Sequence, residues 1–172
     1  MNTAIKTKTY ESALDTFISK HAGSEIEYGV QIDAQGFVSS YNKGNAGSVD
    51  ITNRNPSRRE VLKNGIKPNS MLVHNHPGGS HFSLQDLDVT SRTPNSRGIV
   101  AVGTRNGSTR TFSISKGTHF NAIGFSKAIR TATLRGLDYD HALDNWLTAN
   151  QKRYGYRYTS KGYVNPSRSR KA

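Results

Sequence analysis

The sequence predicts an α/β chain of the α+β kind: a mostly antiparallel sheet with flanking helices, built as one domain. Three observations carry this expectation. Apolar residues switch along the chain between a helical period and a period of two. Two turn signals, Asp33-Ala34-Gln35-Gly36 and Asn106-Gly107, each join segments of strand character, which is how antiparallel neighbours are made. A length of 172 residues suits one domain and leaves no room for a second of ordinary size.

Taken in order, Thr9–His21 sets Tyr10, Ala13, Leu14, Phe17 and Ile18 on one helix face, with Gly23 as a stop. From Glu25 the period becomes two: Ile26, Tyr28, Val30 and Ile32 share one strand face, and Glu25, Glu27, Gly29 and Gln31 the other. Phe37–Tyr41 reads as the hairpin partner, and Ser48–Thr52 as a strand beyond a glycine-rich loop. Pro56–Asn64 suits a short helix, with Pro early and Gly65 after its end. Met71–His74 is a short buried strand running into His74-Asn75-His76-Pro77-Gly78-Gly79, where Pro and two Gly force irregular backbone. Ser83 with Asp86 three residues on resembles a capping box for a helix through Arg92. Ile99–Val102 and Thr111–Ser115 form a hairpin around Asn106-Gly107. Two helices follow, about Phe120–Arg135 and Asp138–Lys152, the second packing Tyr139, Ala142, Leu143, Trp146 and Leu147 as core. The organisation expected is a domain over residues 1–150 and a basic Tyr/Arg-rich tail over 151–172.

Composition narrows the chemistry. Without cysteine there is no disulfide scaffold, thiolate zinc site or Cys nucleophile, so a metal has to be held by His, Asp or Glu. No run approaches the roughly 18 apolar residues of a membrane span, and Met1–Thr9 lacks the apolar stretch of a signal peptide, so a soluble cytoplasmic protein without membrane contact is expected. The formal net charge is +12, and seven of the 24 basic groups lie in residues 151–172, where there is no acid. Lys152, Arg153, Arg157, Lys161, Arg168 and Arg170, interleaved with Tyr154, Tyr156, Tyr158 and Tyr163, are the residues that a nucleic-acid partner would use, Arg and Lys on phosphates and Tyr on bases. A solvated terminal segment is the simpler account of the same residues.

The sharpest feature is His74-x-His76 followed by Ser83-x-x-Asp86. On an extended segment residues i and i+2 point the same way, so both imidazoles reach one metal while Asn75 points away. Asp86, on the first turn of the next helix, folds back to add an oxygen, giving a His2Asp set with an open fourth position, the arrangement of catalytic zinc sites. The letters His-Asn-His are not the signature of an HNH nuclease, whose residues are dispersed rather than contiguous.

This constellation resembles the JAB/MPN (JAMM) zinc metalloprotease superfamily, with its upstream Glu, His-x-His and Ser-x-x-Asp. The stretch Val73-His74-Asn75-His76-Pro77-Gly78 is similar to the RadC branch and to JAB-type domains encoded by bacteriophages and mobile elements. The resemblance covers about Glu25–Val102. It implies a deaminase-type sheet, Zn2+ on His74, His76 and Asp86, an oxyanion-supporting Ser83, and hydrolysis of a peptide or isopeptide bond in a protein or peptide substrate. It also admits a nucleic-acid-associated RadC-like protein, or a phage structural or morphogenesis component with a non-catalytic fold. The interval between His76 and Asp86 is one residue shorter than the family's usual spacing, which makes His81 the alternative third ligand. The family's general base lies on an early strand before an apolar run; Glu27 fits that position, with Glu25 the alternative and Glu60 a more distant one.

Overall fold

The computed structural model describes residues 5–6, 9–47, 49, 66–134 and 138–162. The strand expected at Ser48–Thr52, apart from Val49, and the helix expected at Pro56–Asn64, with Glu60, lie outside them. So do the expected helix end at Arg135 and residues 163–172, which include Arg168 and Arg170.

One mixed sheet holds the chain together. Its strands are β1 (Ile5–Lys6), β2 (Tyr28–Asp33), β3 (Phe37–Lys43), β4 (Ser70–Asn75), β5 (Gly98–Arg105), β6 (Ser108–Lys116) and β7 (Tyr156–Lys161), in the order β1-β3-β2-β4-β5-β6-β7. Six of the seven have at least six residues; β1 is a two-residue edge piece. Every pairing is antiparallel except β4 with β5. That pair is parallel because a helix, α2 (Leu84–Arg92), carries the chain back between them.

Both hairpin turns behave as their sequences demand. Asp33 Oδ1 accepts from Gln35 N and Phe37 N, and Gly36 takes a positive φ, so β2 and β3 are joined tightly. Asn106 and Gly107 both have positive φ, the requirement of a two-residue type I′ turn between β5 and β6.

The helices are α1 (Tyr10–His21), α2, α3 (Ala122–Thr131), α4 (Tyr139–Ala149) and the single turn α5 (Gln151–Tyr154). Thr9, Ser83, Asn121 and Asp138 cap the first four, each side chain accepting a backbone N–H from the first turn. The long helix expected over Asp138–Lys152 is therefore two, broken at Asn150 and ended by Gly155 in the left-handed region.

The sheet buries both faces. Val30, Ile32, Met71, Val73, Val100 and Val102 meet Ala13 and Phe17 of α1 on one side. Leu72, Ile99, Ala101, Phe112 and Ile114 meet Phe82, Leu87, Phe125, Leu143 and Leu147 on the other. This explains why β4 and β5 are apolar runs without alternation.

The expectation of a tail beginning at residue 151 does not hold for residues 151–162. Tyr156 and Tyr158 are buried in the second core, and β7 pairs with β6 along its whole length. Tyr-Arg-Tyr-Thr is an alternation of core-facing and solvent-facing positions in a strand, and β6 needs a partner on its outer edge.

Candidate metal centre

The site is built where β4 ends. His74 lies on the strand, and His76 N donates to Val102 O at 2.7 Å, prolonging the extended path by one step. The two rings therefore project on the same side, edge to face, with Nε2 atoms 2.9 Å apart. Beyond them Gly78 and Gly79 have φ of +84° and +70°, and Gly79 N donates back to His76 O. Only a residue without Cβ crosses beneath this turn: a Cβ on Gly103 would sit 2.5 Å from both His76 O and Gly79 Cα.

The turn delivers the chain to Ser83, which caps α2. Its Oγ accepts from Asp86 N at 3.0 Å, and Asp86 Oδ2 accepts from Ser83 N at 2.9 Å. This capping box turns the Asp86 side chain back toward the helix start, where the dipole favours a carboxylate. Oδ1 is then 3.1 Å from His74 Nε2 and Oδ2 3.1 Å from His76 Nε2. The shortened interval between His76 and Asp86 does not displace the aspartate.

His74, His76 and Asp86 thus form a group able to hold a metal ion. The donor chemistry fits. His76 Nδ1 donates to Ser80 O at 3.0 Å, which leaves the Nε2 lone pair for a metal. A tetrahedral centre with bonds of about 2.0–2.1 Å has edges of about 3.3 Å, close to the separations observed here. His74 Nδ1 is buried with no hydrogen-bond partner among the described residues, so this ring is oriented from its Nε2 side.

Electrostatics reinforce the group. Burial pushes the Asp86 carboxyl upward, but the charges and hydrogen bonds of His74 and His76 outweigh it and hold it well below the carboxylate range. For His76 burial opposes the charged form, yet the Asp86 hydrogen bond and charge, helped by Ser80 and Glu27, raise its pKa to about 9. Glu27 is raised chiefly by burial and further by Asp86, against the pull of His74 and His76.

The two carboxylates weighed for the base are separated by the fold. Glu27 is buried and lines a cleft of about 440 Å³ with His74, His76, Ser83 and Asp86. Glu25 is exposed in the bend before β2 and does not line the cleft. Glu27 owes its place to a residue that the sequence reading left pointing away from the metal. Asn75, fully buried, accepts from Tyr28 N at 2.6 Å and donates to Ile26 O at 2.9 Å, gripping the backbone on either side of Glu27. Ser83 also lines the cleft; having accepted one bond, its hydroxyl retains a hydrogen to donate.

His81 lines the cleft but has other partners. Its Nδ1 accepts from Phe82 N at 2.7 Å, and its Nε2 lies 2.8 Å from the Tyr158 hydroxyl. Burial first, then Arg110 and His76, lower its pKa to about 3 against a small upward pull from Asp86. His81 thus has both ring nitrogens engaged elsewhere, and it is not part of the His74, His76 and Asp86 group able to hold a metal ion.

Arg110 and Asp140, which also meet at this loop, were not singled out from the sequence, whereas Tyr139 was read as helix core and Tyr158 as part of a basic tail. Arg110 alone left a trace, since it is a charge in phase with the core-facing Phe112 and Ile114 on β6. Of the basic residues, Lys152, Arg153, Arg157 and Lys161 are exposed, whereas Tyr156 and Tyr158 face the core and present no ring for stacking on bases. Among the described residues no helix is long and apolar enough to cross a membrane.

Fold and site together define an α+β protein with a buried His-His-Asp group suited to a metal ion. Comparison with protein-family models, curated proteins and solved structures finds no significant match to the chain.

Proposed function

We propose that the chain is a zinc-dependent hydrolase of peptide or isopeptide bonds, of the JAB/MPN (JAMM) type that its motif resembles. The observation that carries this reading is the convergence of His74 Nε2, His76 Nε2 and both Asp86 oxygens in one cleft with Glu27. Two imidazoles and one carboxylate favour zinc over calcium or magnesium, which prefer oxygen ligands.

His74, His76 and Asp86 would hold the ion, and zinc, when bound, supplies Lewis acidity toward a carbonyl and toward water. Glu27 takes the proton from the attacking water at its carboxylate and passes it to the departing amine. Burial keeps competing water away from that carboxylate, and the Asn75 grip fixes its position. Ser83 donates its hydroxyl hydrogen to the oxyanion as charge develops there.

Metal content tests the reading directly. Protein purified without chelator, or loaded afterwards, is expected to hold about one zinc per chain by elemental analysis, and His74→Ala/His76→Ala to hold none. Glu27→Gln should keep the zinc and lose at least about 100-fold in hydrolysis of a peptide and isopeptide panel. A wild-type chain that takes up no divalent metal refutes the proposal.

A further inference from the structure

The loop between His76 and α2 is held from outside by β5, β6, α4 and β7. Arg110 donates to Gly79 O at 2.6 Å and Arg105 to Gly78 O at 3.0 Å, while the Tyr139 hydroxyl donates to Phe82 O at 2.8 Å. Asp140 receives Arg110 at 3.4 Å and Arg105 at 3.6 Å. The firmest connection runs through His81. Because its Nδ1 accepts from Phe82 N, the ring proton is on Nε2 and is donated to the Tyr158 oxygen; the Tyr158 hydroxyl in turn donates to Asp144 Oδ1 at 2.9 Å. The chain of donors runs one way, and His81, Tyr158 and Asp144 are each at most 7% exposed. His81 directly follows Ser80, whose carbonyl receives His76 Nδ1–H.

Resting on the metal-centre reading above, we propose that Tyr158 of β7 is a positioning residue for that centre. By anchoring His81 it holds the Ser80 carbonyl against His76, which keeps the Nδ1–H tautomer and leaves Nε2 to the ion. A tyrosine placed 82 residues after His76 thereby completes the outer shell of the site. Loss of such an outer-shell partner typically weakens metal binding about 10–100-fold.

The test compares two variants of the full chain that each remove one buried tyrosine hydroxyl from the same strand. Tyr158→Phe breaks the connection to His81, while Tyr156→Phe removes a 2.6 Å bond to Leu147 O that does not touch the loop. Zinc dissociation constants are measured by competition with a chromophoric chelator, beside thermal unfolding of the metal-free proteins. Tyr158→Phe is expected to bind zinc at least about 10-fold more weakly than wild type, and Tyr156→Phe to bind as wild type does despite a similar loss of stability. Equal affinity in Tyr158→Phe and wild type, or equal weakening in both variants, overturns the positioning role while leaving the metal centre standing. Absence of zinc binding in wild type overturns both. If Tyr158→Phe does not fold, Asp144→Asn, which weakens the far end of the same chain while keeping its shape, must weaken zinc binding in the same sense; unchanged affinity there is equally fatal.

Discussion

Asn75 shows how one side chain links two parts of a site. The backbone ladder between β2 and β4 ends at Gly29 and His74, and the Asn75 amide supplies the next two hydrogen bonds in its place. Asn75→Ala would leave Tyr28 N and Ile26 O without these partners in a half-buried setting, at a cost of about 1–3 kcal/mol. An unfolding free energy lowered by that amount in urea titrations is expected, with His74, His76 and Asp86 still binding metal. Asp86→Ala removes a proposed ligand and the reciprocal half of the capping box together, so it should lose both zinc affinity and helix stability. The cap accounts for about 1 kcal/mol of the stability lost. Metal titration and denaturation of this one variant separate the two effects. Asp86 was legible in the sequence because Ser-x-x-Asp is a local signal of four residues. The grip of Asn75 was not, because its partners lie 47 and 49 residues away.

At the scale of elements, the C-terminal strand carries more of the fold than its composition announces. Seven basic groups among tyrosines look like a polyanion-binding segment when counted, yet the alternation Tyr156, Tyr158 against Arg157, Thr159 is that of a half-buried edge strand. Removing residues 156–172 is expected to destabilise the protein by several kcal/mol, since truncating one buried aromatic alone costs about 3–5 kcal/mol. Loss of a cooperative thermal transition would register it, whereas an unchanged transition would return β7 to the status of an appendage. On β5, Gly103→Ala should loosen the crossing of strand and glycine turn, because its Cβ would meet the His76 carbonyl at 2.5 Å. A lowered melting temperature together with weaker zinc retention is the expected result, and it would distinguish this glycine from Gly23, where a Cβ meets nothing within 4 Å.

For the molecule as a whole, the site sits at the carboxyl end of β4, beside its parallel neighbour β5 and at the start of α2. There a strand end and a helix N-terminus point their polar groups into one cleft. The cleft floor is tied to global stability through His81. Its folded pKa of about 3 lies below the ordinary histidine value of 6.5. Between those limits the unfolded chain binds a proton on this imidazole that the folded chain does not. This contribution to stability is therefore complete above about pH 6.5 and falls with acidification, by up to about 1.4 kcal/mol per pH unit. His81→Phe should show a shallower decline than wild type between pH 6.5 and 4 in urea titrations; parallel curves would mean that His81 titrates normally in the folded protein.

What the sequence determined by itself is the set of features written over a few neighbouring residues. These are the hairpins at Asp33–Gly36 and Asn106-Gly107, the cap at Ser83, the shared side of His74 and His76, and the return of Asp86 to the helix start. Each follows from backbone geometry that neighbouring residues set among themselves. Only the tertiary structure placed Glu27 in the cleft and Glu25 outside it, engaged both ring nitrogens of His81 away from His74, His76 and Asp86, and placed Tyr158 in the core rather than in solvent. Those outcomes depend on burial and on partners brought from distant parts of the chain by sheet order. In particular, β2 packs beside β4, and β7 closes the far edge, so that Glu27 and Tyr158 approach the His74–Asp86 segment from opposite directions in the sequence.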